Sequence, residues 1–311
     1  MSLVRLLSGE SSQISVFILA LVTYCVPQAT SLNTKVNLNF DHSGGNAYLT
    51  SLVSKYGLKH DPGAPVELSY HGGYLKAKYL EDSRVHVDFT SGQLKWRQYH
   101  GGGEAIARAV GVKSNYHPYV IDATGGFGTD AFILASHGCK VKLFEKDPLV
   151  ACLLEDGFRR AGDVQGGRLT ENFAMEFGDS LAYLTTLVNG TRESNDFRSN
   201  ATLTDVGPPT NAPSHHSPLP EFPDVIYLDP MFPKSKNSAL VKKNIKFLQN
   251  ILPPNDAKDA ELIRVALRSC RRRVVVKRPI GAACLGNLKT TNFVKSNRYR
   301  FDIYTPKSFK L

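Results

Sequence analysis

The chain has 311 residues, of which 42% are hydrophobic. This length and composition are sufficient for one large domain with a smaller appendage, and they exclude the class of proteins that are too polar to form a core. Its formal net charge is +10, and the excess lies entirely in residues 221–311, which contain 19 Lys and Arg but only 7 Asp and Glu. The five cysteines are widely spaced without a Cys-x-x-Cys pair, which argues for reduced thiols and against a zinc site or a disulfide framework.

The N-terminal part of the chain is predicted to divide into an extension and a small β-rich subdomain. Residues 1–33 contain an apolar stretch, 14–26, that is too short to span a bilayer comfortably. We interpret the extension as disordered or as a targeting segment, and a non-native extension or mis-set start is an equal alternative. Residues 34–100 hold three short alternating segments that predict the strands of a small sheet, at 66–70, 75–79 and 85–89.

Residues 101–311 predict an α/β domain, because a helix at 104–110 is followed by apolar strands that alternate with helices. The predicted strands are 119–123, 140–145, 173–177 and 224–229, and the helices between them are 129–137, 148–161 and 180–188. Such alternation implies a parallel sheet with its ligands at the carboxyl ends of the strands. Residues 189–222 are rich in Ser, Thr, Asn and Pro and predict a disordered surface insertion. Further elements are predicted at 238–251 and 256–270 (helices), 271–279 (a buried strand) and 298–304 (a closing antiparallel strand).

The nine residues from Asp122 to Asp130, Asp-Ala-Thr-Gly-Gly-Phe-Gly-Thr-Asp, are typical of a nucleotide-binding turn between a strand and a helix. The three glycines allow positive φ and a close approach of a ligand to the main chain. A tight connection without a ligand is the alternative. Glu145 ends the next strand roughly twenty residues further on, where a carboxylate can accept both hydroxyls of a ribose. Dinucleotide oxidoreductases and adenosylmethionine-dependent methyltransferases share this arrangement.

The strand at 224–229 ends in a carboxylate and is followed by Pro230-Met-Phe-Pro233. An Asp-Pro-x-aromatic tetrapeptide resembles the catalytic motif of methyltransferases that modify exocyclic amines of nucleobases. Asp229 and the carbonyl of Pro230 can accept the two N–H bonds of such an amine, and Phe232 can stack on the base. This chemistry requires no metal, and we assign none. A proline-terminated strand with an N-capping Asp is the alternative.

Together these segments resemble the ribosomal RNA small subunit methyltransferase J family of guanine-N2 methyltransferases. The similarity covers residues 34–311 apart from the insertion, and its most specific stretches are 121–136, 227–234, 238–243, 274–279 and 300–304. The resemblance implies a class I (Rossmann-like) methyltransferase sheet and S-adenosyl-L-methionine as cofactor. It implies cofactor contacts at Thr129, Asp130, Glu145, Lys146, Asp179, Ser180 and Asp229, to which the turn itself adds Asp122, Gly125, Gly126 and Gly128.

The basic last third of the chain favours a polyanionic partner, with a solvated basic face as the alternative. Small-subunit ribosomal RNA, or a pre-ribosomal particle, is the expected partner, and its phosphates are expected to contact Lys234, Lys236, Lys242, Lys243, Lys277 and Arg278. We expect a cytoplasmic monomer without membrane association, or an organellar protein if residues 1–33 act as a presequence. The alternative functions are an amino-methyltransferase acting on adenine N6 in RNA or DNA, a non-catalytic RNA-binding protein, and a nicotinamide oxidoreductase. The last is disfavoured because no catalytic His, Lys or Tyr motif follows the turn.

Overall fold

The structure, a computed structural model, describes residues 34–39, 46–92, 94, 104–165, 171–199, 222–232 and 243–306. Its strands are β1 (Lys35–Asn39), β2 (Lys59–His60), β3 (Val66–His71), β4 (Tyr74–Tyr79), β5 (Tyr119–Asp122), β6 (Lys140–Glu145), β7 (Phe173–Phe177), β8 (Val225–Leu228), β9 (Arg273–Pro279), β10 (Phe293–Lys295) and β11 (Tyr299–Tyr304). Its helices are α1 (Asn46–Lys55), α2 (Ala105–Val110), α3 (Thr129–Ser136), α4 (Pro148–Gln165), α5 (Ser180–Ser199), α6 (Lys243–Ile251) and α7 (Asp256–Arg268). The predicted N-terminal extension, residues 1–33, lies outside the described residues.

Seven strands form one sheet in the order β10-β11-β9-β8-β5-β6-β7. β5 to β9 run parallel, whereas β11 runs antiparallel to both of its neighbours, β9 and β10. This order confirms the predicted α/β class, with its parallel core and closing antiparallel strand, and it is the order of a class I (Rossmann-like) methyltransferase sheet. The carboxyl ends of the five parallel strands therefore meet at one edge, where sheets of this kind bind their ligands.

Helices cover both faces of the large sheet. Successive side chains of a strand point to opposite faces, so each face packs against its own set of helices. On one face, Tyr227 and Val275 belong to a core that includes α2, α3 and α4. On the other face, Ile226 and Val276 pack with α5 and α7. All four residues of the central strand β8 are 0% exposed, which is why its sequence is a continuous apolar run rather than an alternating one.

The N-terminal part forms a second sheet of four strands in the order β2-β1-β3-β4. The antiparallel pair β3 and β4 confirms the predicted strands at 66–70 and 75–79. β1 pairs in parallel with both β2 and β3. Parallel neighbours require a crossover connection, and α1 supplies it between β1 and β2. Neither β1 nor α1 is among the elements predicted from the sequence.

The predicted strand at 85–89 is wrong. In this segment only Val85 forms a β-bridge, an isolated antiparallel one with Ala77. Its alternating burial has another cause, which is packing on α4 of the large domain. An ideal Cβ placed on Gly157 would lie 2.5 Å from Cγ1 of Val87, so the segment and the helix are in close contact. The sequence pattern indicated a buried face correctly, but a helix rather than a sheet covers it.

The segment 189–222 begins as a helix and not as the predicted disordered insertion. α5 starts at Ser180, as predicted, but it continues past residue 188 as far as Ser199. Residues 200–221 lie outside the described ranges, and the expectation of disorder for them stays a prediction.

Within the described ranges, no helix combines the length and the apolar character needed to cross a membrane. The cysteines in those ranges are all free thiols: Cys139, Cys152 and Cys270 are buried, and Cys284 is partly buried.

A buried carboxylate joins the N-terminal sheet to the large domain. Asp156 of α4 is 0% exposed, and its Oδ2 accepts hydrogen bonds from the backbone N–H of Leu75 at 3.1 Å and from Nε of Arg160 at 2.9 Å. Asp156→Ala leaves both donors in the interior without this acceptor. We therefore expect the free energy of unfolding to fall by about 3 kcal/mol, as measured by chemical denaturation.

Asp163 on the same helix provides the matched control. Its carboxylate lies 3.1 Å from Nη1 of Arg159, but the side chain is 65% exposed. Solvent screens such a pair, so Asp163→Ala should cost less than about 1 kcal/mol. Equal losses in the two variants would contradict the structural role given to Asp156.

Candidate active site

The glycine turn lies directly against the neighbouring strand β6. The backbone N–H of Gly125 donates to the carbonyl oxygen of Phe144 at 2.9 Å. An ideal Cβ on Gly125 would lie 2.7 Å from that oxygen and 2.7 Å from Cδ2 of Leu143, closer than real side chains come. Gly126 and Gly128 have φ angles of +53° and +67°, which favour glycine. The three glycines of the predicted turn are therefore required by its local geometry.

Glu145 lies at the end of β6, beside the turn, as the sequence spacing predicts. Its Oε2 accepts the N–H of Gly126 at 2.8 Å, and its Oε1 accepts the N–H of Asp147 at 2.7 Å. The side chain is only 6% exposed. Burial raises the pKa of Glu145 to about 7, assisted by the charge of Asp147 and opposed by the two hydrogen bonds. Each carboxylate oxygen has a second lone pair, which can accept a ligand hydroxyl.

The other residues that the resemblance implies as cofactor contacts differ in the exposure and the hydrogen bonds of their side chains. Asp179 caps the start of α5, where its Oδ1 accepts the N–H of Leu181 at 2.8 Å. Ser180 is buried, and its hydroxyl donates to the carbonyl oxygen of Ala123 at 2.7 Å, so it ties α5 to the turn. Thr129 and Lys146 are exposed, at the start of α3 and just after β6. Asp122 is buried at the end of β5, where burial raises its pKa to about 8.

The loop after β8 adjoins the glycine turn. β5 and β8 are paired neighbours, and the N–H of Ala123 donates to the carbonyl oxygen of Tyr227 at 3.0 Å. The N–H of Asp229 donates to Oγ1 of Thr124 at 2.6 Å. A hydrogen bond therefore joins the two segments that the sequence singles out, at the same edge of the sheet. We name residues 229–232 the acceptor loop.

The aromatic ring of the acceptor loop has a cation beside it. The guanidinium carbon of Arg278 lies 4.5 Å from the ring centroid of Phe232. Nε of Arg278 also donates to the carbonyl oxygen of Ala283 at 2.9 Å. On the main chain, Nε2 of Gln249 lies 3.4 Å from the carbonyl oxygen of Phe232. Pro230 is buried. Phe232 is therefore held at its ring by Arg278 of β9 and at its main chain by Gln249 of α6, at the edge of the sheet that carries Asp229.

An ion cluster lies beneath this edge, and it gives two predicted residues unexpected partners. Nζ of Lys277 lies 2.8 Å from Oδ2 of Asp130 and 2.8 Å from Oδ2 of Asp229. The hydroxyl of Tyr227 donates to Oδ2 of Asp130 at 2.7 Å. The Lys277 side chain is 17% exposed and its ammonium is bound to carboxylates, whereas we expected it to contact phosphates. Asp130, expected at the cofactor, likewise binds groups of β8 and β9.

The charges in the cluster shift one another's ionisation. Burial raises the pKa of Asp229, the ammonium of Lys277 lowers it, and the carboxylate of Asp130 raises it, with the net result above the ordinary value. Burial alone would lower the pKa of Lys277, but the two carboxylates outweigh it and raise the pKa above its usual range. The two carboxylates therefore favour the charged form of Lys277.

Three of the basic residues that we expect at RNA phosphates lie among the described residues. Lys243 is exposed at the start of α6, Arg278 lies beside Phe232, and Lys277 lies in the ion cluster. Lys234, Lys236 and Lys242 lie outside the described residues. Across the described part of the chain, no three or more His, Cys, Asp or Glu side chains are grouped so as to hold a metal ion.

Three residues at the site were missed from the sequence. Thr124 and Tyr227 each carry a hydroxyl that joins two parts of the site, and Gln249 contacts the acceptor loop. The sequence does contain an indication of the role of Tyr227, because it is the one polar side chain in an otherwise aliphatic strand. A buried hydroxyl needs a hydrogen-bond partner. Nothing in the pattern of α6 distinguishes Gln249 from an ordinary surface glutamine.

Known proteins resemble this chain over most of its length. The SAM_MT family model, which describes SAM-dependent methyltransferases, matches residues 51–195 and 208–306. The ribosomal RNA small subunit methyltransferase J of Erwinia tasmaniensis is 39% identical over 86% of this chain and 96% of its own length. The corresponding protein of Citrobacter koseri is 36% identical over 87% of this chain and 97% of its own length.

The fold comparison agrees with the sequence comparisons. A solved SAM-dependent methyltransferase from Neisseria gonorrhoeae is 29% identical to this chain, with a TM-score of 0.63. The match covers 89% of this chain and 97% of that protein. The glycine turn, the carboxylate of Glu145 and the acceptor loop thus meet at one edge of a class I sheet, in a chain that is similar to these proteins along nearly their whole length. The chain belongs to the ribosomal RNA small subunit methyltransferase J family of SAM-dependent methyltransferases.

Proposed function

We propose that the chain transfers a methyl group from S-adenosylmethionine to the exocyclic N2 of a guanine in small-subunit ribosomal RNA. The observation that carries this proposal is the hydrogen bond between Asp229 and Thr124, which joins the acceptor loop to the glycine turn at 2.6 Å. A donor on the turn and an acceptor base on the loop would then share one pocket. The names of the relatives supply the substrate class, and the amine chemistry of the loop supplies the type of acceptor.

The residues around the turn fit the cofactor. Close contact with β6 leaves no room for a side chain at Gly125, and this contact fixes the turn that would receive the cofactor. Glu145 would accept the ribose hydroxyls with its remaining lone pairs, and Asp179 would receive the adenine amino group. Thr129 and Lys146 are exposed near the same edge and would contact the rest of the molecule. When bound, the cofactor supplies an electrophilic methyl group on a sulfonium cation.

The acceptor loop would hold the base amine. An exocyclic amine is a poor nucleophile because its lone pair is delocalised into the ring. The carboxylate of Asp229 and the carbonyl of Pro230 would each accept one N–H, which draws the nitrogen toward tetrahedral geometry. Phe232 would stack on the base, and Asp229 is in position to accept the proton that the amine loses after it is methylated.

The RNA would approach across the basic last third of the chain. Lys243, together with Lys234, Lys236 and Lys242, would contact phosphates near the acceptor loop, and Arg278 would contact the base or a neighbouring phosphate. Lys277 is not part of this proposal, because its ammonium is bound to two carboxylates. We propose that the chain acts as a cytoplasmic monomer on ribosomal RNA or on a pre-ribosomal particle.

Incubation of the full chain with labelled S-adenosylmethionine tests this function. The substrates are small-subunit RNA and small subunits from a bacterium that lacks the family's methyltransferase. We expect label in the RNA, and mass spectrometry of the digested nucleosides should identify N2-methylguanosine. Label in N6-methyladenosine would instead support the adenine alternative, and binding of RNA without transfer would support a non-catalytic protein.

A further inference from the structure

We propose that Lys277, Asp130 and Tyr227 form a clamp that orients the carboxylate of Asp229 for the acceptor amine, and that the side chain of Asp130 serves this clamp rather than the cofactor. We call these three residues the carboxylate clamp. The inference deepens the proposed function, because it rests on Asp229 as the group that receives the amine. Lys277 and Asp130 are thereby positioning residues, which act through Asp229 and not on the substrate itself.

The strand register explains why the clamp forms. In the parallel pair of β8 and β9, Leu228 lies beside Val276, so the next residues along the two strands are Asp229 and Lys277. Side chains alternate along a strand, and Lys277 therefore points to the same face as Val275, the face that carries α3. Asp130 lies on the first turn of α3 and completes the contact from that side.

Each member of the clamp is itself held. The hydroxyl of Tyr227 donates to Oδ2 of Asp130 at 2.7 Å, and Tyr227 is 0% exposed. Nζ of Lys277 lies 4.9 Å from the ring centroid of Tyr299 on β11, besides its two carboxylate contacts at 2.8 Å. Oδ2 of Asp229 is therefore engaged by a fixed ammonium, which orients the other oxygen of the same carboxylate.

Charged and titratable groups face Asp229 from four elements. They are Lys277 and Arg278 on β9, Asp130 on α3, Asp122 on β5 and Tyr227 on β8. Among them, Lys277 is the cation in direct contact, and Asp130 is the carboxylate that shares that cation. Lys277 and Asp130 therefore act on the pKa of Asp229 in opposite directions. Removing Lys277 should raise this pKa, and removing Asp130 should lower it.

Two variants of the full chain test these opposite shifts in the pKa of Asp229. Without the ammonium, Asp229 is harder to ionise, so Lys277→Met should move the acidic limb of the pH profile of kcat to higher pH by about 1 to 3 pH units. Without the second carboxylate, Asp229 is easier to ionise, so Asp130→Asn should move that limb to lower pH. Lys258→Met and Asp256→Asn make the same changes of charge at exposed positions of α7 and should leave the limb where it is in the wild type.

The titration of Asp229 can also be measured without any RNA. In carboxyl-labelled protein, the Asp229 signal is identified by its loss in Asp229→Asn, and its midpoint should move in the same opposite directions in the two clamp variants. If Lys277→Met alone does not fold, the double variant Asp130→Asn with Lys277→Met removes both charges together. The midpoint of Asp229 in the double variant should be higher than in Asp130→Asn. Where some Lys277→Met protein folds, the midpoint in the double variant should also be lower than in Lys277→Met.

Cofactor binding separates the clamp from the alternative role of Asp130. Calorimetry should give the same dissociation constant for S-adenosylmethionine in Asp130→Asn as in the wild type, whereas a loss of tenfold or more would make Asp130 a cofactor ligand and overturn the proposal. Midpoints of Asp229 that are unchanged, or that move in one direction in both variants, would also overturn it. An inactive wild type with the predicted midpoints would instead contradict the proposed function and leave the clamp supported.

Discussion

Asp229→Ala is expected to lower methyl transfer by at least about a thousandfold, because it removes both the acceptor that aligns the amine and the group that takes its proton. The fold should survive. The contact of residue 229 with Thr124 uses the backbone N–H, which alanine keeps, and Lys277 retains its ion pair with Asp130. Single-turnover assays with labelled S-adenosylmethionine measure the loss, and thermal unfolding shows whether the structure is intact.

Two further substitutions sharpen this prediction. Asp229→Asn keeps an oxygen that can accept one N–H but cannot take a proton, so its activity should lie between those of the wild type and Asp229→Ala. Asp256→Ala removes an exposed carboxylate at the start of α7 and should leave turnover unchanged. If Asp229→Ala turned over at a rate near that of the wild type, Asp229 would not be the residue that receives the amine.

The parallel core could be predicted from the sequence because its strands alternate with helical segments, and because β5 and β8 are short, largely apolar runs. β6 and β7 have the predicted bounds, and β8 differs from its prediction by one residue at each end. The positions of the glycine turn and of the carboxylate at the end of β6 could also be predicted, since the motif consists of specific residues at a fixed spacing. These features are local in the sequence, and tertiary contacts did not alter them.

The partner of a side chain could not be predicted in the same way. Period-2 alternation already implies that Lys277 and Arg278 point to opposite faces, but it does not say which face carries Asp130. The sequence-based assignment of both residues to phosphates therefore failed for Lys277, whose face turned out to be the one covered by α3. Strand β10, with three residues, is too short to show any period, and it was not predicted.

Gly125→Ala is the second substitution with a large expected effect. An added methyl group would lie 2.7 Å from the carbonyl oxygen of Phe144, which is backbone and cannot rotate away, and 2.7 Å from Cδ2 of the buried Leu143. The turn must therefore move away from β6, which breaks the hydrogen bond from Gly125 to Phe144. We expect the protein to lose about 1 to 3 kcal/mol of stability and to lose measurable binding of S-adenosylmethionine.

The same substitution at Gly162 separates the effect of the turn from that of glycine replacement in general. Gly162 lies inside α4, and an added Cβ there would meet nothing within 4 Å. Alanine is the better helix former, so Gly162→Ala should raise the free energy of unfolding by about 0.5 to 1 kcal/mol and leave cofactor binding unchanged. Normal affinity in Gly125→Ala, measured by calorimetry on the folded protein, would mean that the cofactor does not depend on the contact between the turn and β6.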